Sequence, residues 1–259
     1  MFLFLLGFSL PVMGQGHFKL FKKDILAPSS KHGRDVYVYL PANYQKNNVR
    51  YPVIYLHDGQ NLFDPQRAYL GQTWKALSTL NNLIARKEVA PVIVVAIDNT
   101  ADRKLEYTPE NSGKLYLEFL VKTLKPLVDQ NFRTKTERKD TAMMGSSLGG
   151  LISLHAGVLY PETFGLIAAL SPSIWWNDRA IITSYQQHSQ LPHKVYLDSG
   201  TTGGEEPQDV LDLSQVLVSR NYRHAENLFV YIQDGADHQE YYWAMRFPVA
   251  LKALFPYSP

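Results

Sequence analysis

Apolar residues recur along this chain in two rhythms. Short β-branched and apolar runs cover Val36–Leu40, Val53–His57, Val92–Asp98, Thr141–Gly145, Leu166–Ser171, Val195–Asp198 and Leu228–Gln233. Between them lie longer amphipathic stretches, about Thr73–Arg86, Tyr116–Asn131, Leu148–Leu159, Asp209–Asn221 and Gln239–Leu254. In the run PVIVVAID consecutive positions are apolar, as in a strand buried on both faces of a parallel sheet. In Tyr116–Asn131 the residues Leu117, Leu120, Val121, Leu124, Leu127 and Val128 return at three- and four-residue steps, one face of a helix. Pro126 and Pro248 fall inside these helical stretches, where a kink or an early end is expected. Strands alternating with helices predict an α/β fold: a mostly parallel central sheet with helices on both faces. In such a sheet ligands bind beyond the C-terminal ends of the strands.

Composition narrows the classes. The 259 residues are 45% hydrophobic and 19% charged, enough apolar material for one large folded domain. No repeat, low-complexity tract or Gly/Ser linker divides them. The net charge is only +2, with no block of Lys and Arg, which argues against nucleic acid as the main ligand. Without cysteine there are no disulfides, thiolate metal sites, Cys nucleophiles or lipidated cysteines. The histidines are scattered, HExxH is absent, and GSSLGG is neither GxGxxG nor a Walker A loop, so no metal or cofactor is expected.

The start, MFLFLLGFSLPVM, is too short to span a bilayer. It resembles the apolar region of a secretory signal, with Gly14 at a cleavage position, but lacks a basic n-region. The expectation is therefore a signal over 1–14, a single catalytic domain over 15–259, a secreted or periplasmic location and no stable membrane anchor. The alternative is an apolar strand or helix packed on the domain of a cytoplasmic protein.

Gly145-Ser146-Ser147-Leu148-Gly149 matches G-x-S-x-G between a strand-like and a helix-like run, the context in which that motif presents a nucleophile. The bland reading is a Gly/Ser-rich turn. Ser147 stands at the apex, and side chains at Gly145 or Gly149 would collide with neighbouring backbone. Ser146 is out of register with the glycines. A serine hydroxyl needs a base, and in this chain order the base follows the last strand. DGADHQEYYW follows Leu228–Gln233, which makes His238 the base rather than a surface-loop histidine. The acid belongs after KVYLDSG, where Asp198, Glu205, Glu206 and Asp209 are available. Asp209 is favoured and Glu206 second, against the alternative that Asp209 only caps its helix. The oxyanion donors are the backbone N–H groups of Leu148 and Gln60, and Gly59 lets the backbone approach the substrate. His57 and Asp58 shape this loop, and Asp58 also joins the substrate-binding candidates.

HDGQNLFDP, IDN…R…EYTP, GSSLGGL, LSPSIWW and DHQEYYW together resemble the esterase family of α/β-hydrolases, from about Val36 to Phe255. That family includes enterochelin (siderophore) esterases, feruloyl and acetyl-xylan esterases and S-formylglutathione hydrolase. The resemblance implies a serine carboxylic-ester hydrolase acting on a small-molecule ester, siderophore-type, carbohydrate-linked or generic. The acid loop TTGGEEPQD is longer than the family's short form, and no insertion suggests a large lid. Arg103, Tyr107, Trp175 and Trp176 are further substrate-binding candidates at the same sheet edge. Arg103 equally suits a brace to Glu106, and one of the two tryptophans is expected in the core. Tyr241, Tyr242 and Trp243 wall the pocket or pack beneath it. Two rival functions share the site: an acyltransferase, and a binding module that kept the fold without the chemistry.

Overall fold

The computed structural model describes residues 14–258; the apolar start read as a signal lies, apart from Gly14, outside the described residues. In chain order the elements are β1 (His17–Ile25), β2 (Arg34–Leu40), β3 (Val53–His57), α1 (Ala76–Ala85), β4 (Ile93–Ile97), α2 (Arg103–Glu106), α3 (Asn111–Phe119), α4 (Lys125–Asn131), β5 (Thr141–Ser146), α5 (Leu148–Leu159), β6 (Leu166–Leu170), α6 (Trp176–Gln187), β7 (Lys194–Gly200), α7 (Pro207–Ser219), β8 (Leu228–Gln233) and α8 (Glu240–Leu254). The eight strands form one sheet in the order β1-β2-β4-β3-β5-β6-β7-β8. β2 is antiparallel to β1 and to β4, and β3 through β8 run parallel. This is the α/β-hydrolase architecture.

Side-chain alternation along the strands feeds two cores. Val53 and Tyr55 face the layer of α3, α4, α5, α6 and α7, whereas Ile54 and Leu56 face α1 and α8. Strands β3 to β6 are buried along their whole length, which explains their unbroken apolar runs. From β3 the chain first moves outward to β4 and then returns past β3 to β5. The loops after β3 and β5 therefore flank a crevice at the switch point.

Four elements differ from the sequence pattern. β1 was not anticipated: it is an edge strand with two irregular steps, mostly exposed, and its lysines interrupt the alternation. The stretch 116–131 is not one helix, because a π-helical turn over Leu120–Leu124 separates α3 from α4. The widened turn accommodates Pro126, whose ring would crowd the carbonyl four residues back in a regular helix. Pro248 does not end α8, where Trp243, Phe247, Leu251 and Leu254 bury enough apolar surface to hold the helix through the missing hydrogen bond. α6 gives little pattern because it begins with Asn177, Asp178 and Arg179 all at positive φ. Among the described residues no inserted cap domain covers the sheet edge; the loop between β3 and α1 forms one wall of the crevice.

Candidate active site

The turn from β5 into α5 places Ser147 at φ 57°, ψ −125°, a conformation that an L-residue adopts only when its surroundings enforce it. The Ser147 N–H donates to Leu170 O at 3.0 Å, and Ser173 N–H donates to Ser147 O at 3.1 Å. A Cβ on Gly145 would come within 2.6 Å of the Gly149 carbonyl oxygen, so the turn closes only over glycine there. At Gly149 the nearest groups are instead the Asp58 and His57 side chains, beyond 3.2 Å. Ser147 Oγ thus stands at the sheet edge, 2.9 Å from His238 Nε2 and 3.5 Å from Ser173 Oγ. His238 comes from the loop between β8 and α8, its ring edge-on to Trp243 with centroids 5.0 Å apart.

The carboxylate facing the other side of the imidazole is Glu205, with Oε2 3.6 Å from His238 Nδ1. That spacing is an ion-pair contact rather than a hydrogen bond, and among the described residues Nδ1 has no hydrogen-bond partner. Glu205 is itself firmly held. Its Oε1 accepts from Ser171 Oγ at 2.5 Å and from Arg246 Nη2 at 3.3 Å, and its Oε2 accepts from Ser199 Oγ at 3.0 Å. Burial alone would raise its pKa. The nearby His238, the bond from Ser171 and the charge of Arg246 prevail and bring it down to about 2.

Asp209, favoured from sequence as the acid, points elsewhere: its Oδ1 lies 2.9 Å from Arg179 Nε. Nor does it supply a side-chain cap; it sits in the first turn of α7, where a negative charge complements the helix dipole. Glu206, the second choice, is exposed at the N-terminal boundary of α7. The physical reason is the loop itself. Gly203 and Gly204 both take positive φ and fold the chain back early, so the first acid after them reaches the imidazole.

Arg246 is an unanticipated component. It is fully buried on α8, with Nε 3.2 Å from Asp198 Oδ1 and Nη2 2.5 Å from Ser171 Oγ. Asp198 also accepts from Ser171 N–H and from Tyr196 Oη, each at 2.9 Å. Burial pushes Asp198 up to about 7, with Arg246 opposing the shift. The sequence does contain a clue: an arginine between Trp243 and Phe247, on the stripe that α8 buries.

The loop after β3 is braced from below. Asp58, at φ 56°, receives a bidentate grip from Arg103, with Nε and Nη2 each 2.8 Å from its oxygens, and a 2.6 Å bond from Asn99 Nδ2. Burial works against this carboxylate, but Arg103 wins and holds its pKa below the usual range. Arg103 therefore braces Asp58 rather than Glu106, which pairs at 2.5 Å with buried Arg34. Tyr107 is fully buried and accepts the Asp58 N–H on its hydroxyl at 3.3 Å, so it supports the loop and does not face the crevice. A Cβ on Gly59 would lie 2.7 Å from the backbone of Ala96 and Ile97; packing on β4, not an approach to substrate, requires this glycine. His57 is buried with Nδ1 3.0 Å from Tyr116 Oη, and burial lowers its pKa to about 3.

Between this loop and the Ser147 turn lies a pocket of about 440 Å³, with Gln60, Arg67, Tyr69 and Glu240 in its walls together with Asp58, Asn61, Asn99 and Arg103. Gln60 is in the turn Gly59–Asn61, and its side-chain oxygen accepts the Asn99 N–H at 3.2 Å. Leu148 is the first residue of α5, whose N–H has no carbonyl four residues back within the helix. Trp175 is 54% exposed beside Ser173, and Trp176 donates from Nε1 to Glu110 at 2.9 Å. Neither tryptophan belongs to the walls of this pocket; Trp175 is exposed, while Trp176 is half-buried and packs against the core on the α3–α7 side of the sheet. Trp243 does line it, while Tyr241 and Tyr242 turn to a neighbouring cleft. Among the described residues no cluster of three His, Cys, Asp or Glu suits a metal ion, and no helix is long and apolar enough to cross a membrane.

Comparison with known proteins agrees with this architecture. An uncharacterized protein of Bacillus subtilis (strain 168), YbbA, is 25% identical over 254 residues, covering 90% of this chain and 97% of the relative. An endo-1,4-beta-xylanase/feruloyl esterase of Xylanibacter ruminicola is 29% identical over 224 residues, 84% of this chain but 29% of that longer protein. The enterobactin esterase of Shigella flexneri superposes with a TM-score of 0.73 at 22% identity, over 93% of this chain and 59% of that one. The family model described as "Putative esterase" matches residues 27–254. The chain accordingly belongs to this esterase family, the carboxylic-ester hydrolases built on an α/β-hydrolase sheet.

Proposed function

We propose that the protein is a serine esterase that works through an acyl-enzyme, with Ser147 as nucleophile, His238 as base and Glu205 as the acid. The 2.9 Å contact between Ser147 Oγ and His238 Nε2, on a turn held at positive φ, carries this reading. His238 takes the hydroxyl proton as Oγ attacks the ester carbonyl. The developing oxyanion meets the N–H groups of Leu148 and Gln60 at the positive end of α5. Collapse of the tetrahedral species breaks the C–O bond, and His238 returns its proton to the leaving alcohol. Water, deprotonated by the same imidazole, then attacks the acyl carbonyl and frees Ser147. Glu205 orients the ring and stabilises the transient imidazolium.

The relatives named for feruloyl and enterobactin esters support an ester of a hydroxylated or aromatic compound as substrate. In the test, wild type and Ser147→Ala are assayed with p-nitrophenyl acetate and treated with a fluorophosphonate, followed by intact mass. Wild type should turn over and gain one adduct, and folded Ser147→Ala should do neither. Turnover retained in that variant would refute the assignment.

A further inference from the structure

The charge of the pocket beside Ser147 is distributed in an unequal way. Four charged side chains line it: Asp58, Arg67, Arg103 and Glu240. Both arginines are already matched. Arg103 commits Nε and Nη2 to the two oxygens of Asp58, and Arg67 pairs through Nη2 with Asp98 while its guanidinium lies 4.1 Å from the centroid of Tyr37. Glu240, the first residue of α8 and two residues past His238, has no cation within ion-pair distance among the described residues. Its one side-chain hydrogen bond is from Asn61 Nδ2, at 3.4 Å. Deeper in, Arg246 is shared between Asp198 and Glu205. The surroundings of Ser147 therefore hold an unmatched carboxylate and no unmatched cation among the pocket-lining groups.

We propose that Glu240 determines specificity at this site: it favours esters that bring a neutral, hydroxyl-bearing group into the pocket and turns away those that bring a negative charge. The proposal rests on the serine-esterase reading and deepens it. A hydroxyl entering here finds acceptors on Glu240 and a ring of amides from Gln60, Asn61 and Asn99. An anionic group, whether a free carboxylate or a metal-bound catecholate complex, meets a like charge in a partly desolvated pocket. Burial raises the Glu240 pKa, with Asp58 adding to the shift and the residue's own backbone N–H, Arg103 and His238 opposing it.

The experiment measures kcat/KM at pH 8 for two pairs of esters matched in shape and different in charge. One pair is 4-nitrophenyl butyrate and 4-nitrophenyl hemisuccinate, charged on the acyl side. The other is phenyl acetate and 4-carboxyphenyl acetate, charged on the alcohol side. At pH 8 Asp98, which burial pushes up to about 7, is ionised and keeps Arg67 matched. Wild type should prefer the neutral member of at least one pair by about tenfold or more, and 0.5 M NaCl should reduce that preference. In Glu240→Gln the preference should shrink about fivefold and lose most of its salt dependence, and Glu240→Ser should behave alike if the Gln variant folds poorly. Unchanged ratios in both variants, or a wild-type preference for the charged members, would overturn the proposal. All ratios come from proteins that keep Ser147, so persistence of turnover in Ser147→Ala would count against the serine mechanism and not against this inference.

Discussion

Glu205 and Asp209 are four residues apart, yet one faces an imidazole and the other a guanidinium. Their local sequence gives no way to tell them apart, because the difference lies in two glycine dihedrals and in where Arg179 and Arg246 arrive from distant helices. The pairing of Ser147 with His238 was far more legible, since G-x-S-x-G and the last strand each mark a sheet edge that the fold brings together. Function should separate the two acids. Glu205→Gln is expected to lower kcat by roughly 10⁴-fold, as loss of a triad acid does, while Asp209→Asn stays within about twofold of wild type. Steady-state kinetics on a common aryl ester would decide, and equal effects in both variants would remove Glu205 from its role. Arg246 is tested differently. Arg246→Met leaves Asp198 and Glu205 buried without their cation, and urea denaturation should show a loss of about 3–5 kcal/mol, as for other broken buried pairs.

The strands β3 and β8 and the helix α5 could be read to their ends, because runs and periodicity there are uninterrupted. β1 and α6 could not: one is an exposed edge, the other opens with three left-handed residues. α6 is held at its far end from another element. Arg220, at the end of α7, donates to the carbonyls of Tyr185, Gln186 and His188 at 3.1, 2.7 and 2.7 Å. These groups would otherwise end α6 without partners. Arg220→Ala should therefore cost about 1.5 kcal/mol, the low end for charged hydrogen bonds because most of these are solvent-exposed, with hydrogen exchange rising first in α6. An unchanged exchange pattern there would show that the clamp carries no load.

Across the whole molecule, two histidines kept neutral by burial and two buried aspartates pull acid stability in opposite directions. His57 is pushed down to about 3 and His155 to about 4. The unfolded chain binds protons at these positions near pH 6.5 while the folded chain refuses them, so their contribution to stability declines as pH falls from about 6.5 toward 4. Glu205, whose folded pKa is depressed to about 2, adds its own decline further down, from about 4.5 toward 2. Asp98 and Asp198, which burial pushes up to about 7, take up protons in the folded chain over the histidines' range and oppose their decline. The melting temperature should therefore change little between about pH 6.5 and 4 and fall below about pH 4. His57→Gln, which retains a hydrogen-bonding group for Tyr116, should remove one histidine's share and make the melting temperature rise relative to wild type as pH falls from about 6.5 to 4; an identical profile would exclude His57 as a contributor.

One helix joins these scales. α8 follows the His238 loop, carries Glu240 and Trp243 into the pocket and sends Arg246 beneath Glu205, yet it rests on the sheet from outside. A small slide of this last helix would uncouple wall, imidazole and counter-ion at one stroke while leaving every strand paired. On gentle heating, catalysis should then fade several degrees before circular dichroism registers any melting, an enzyme that switches itself off while still standing.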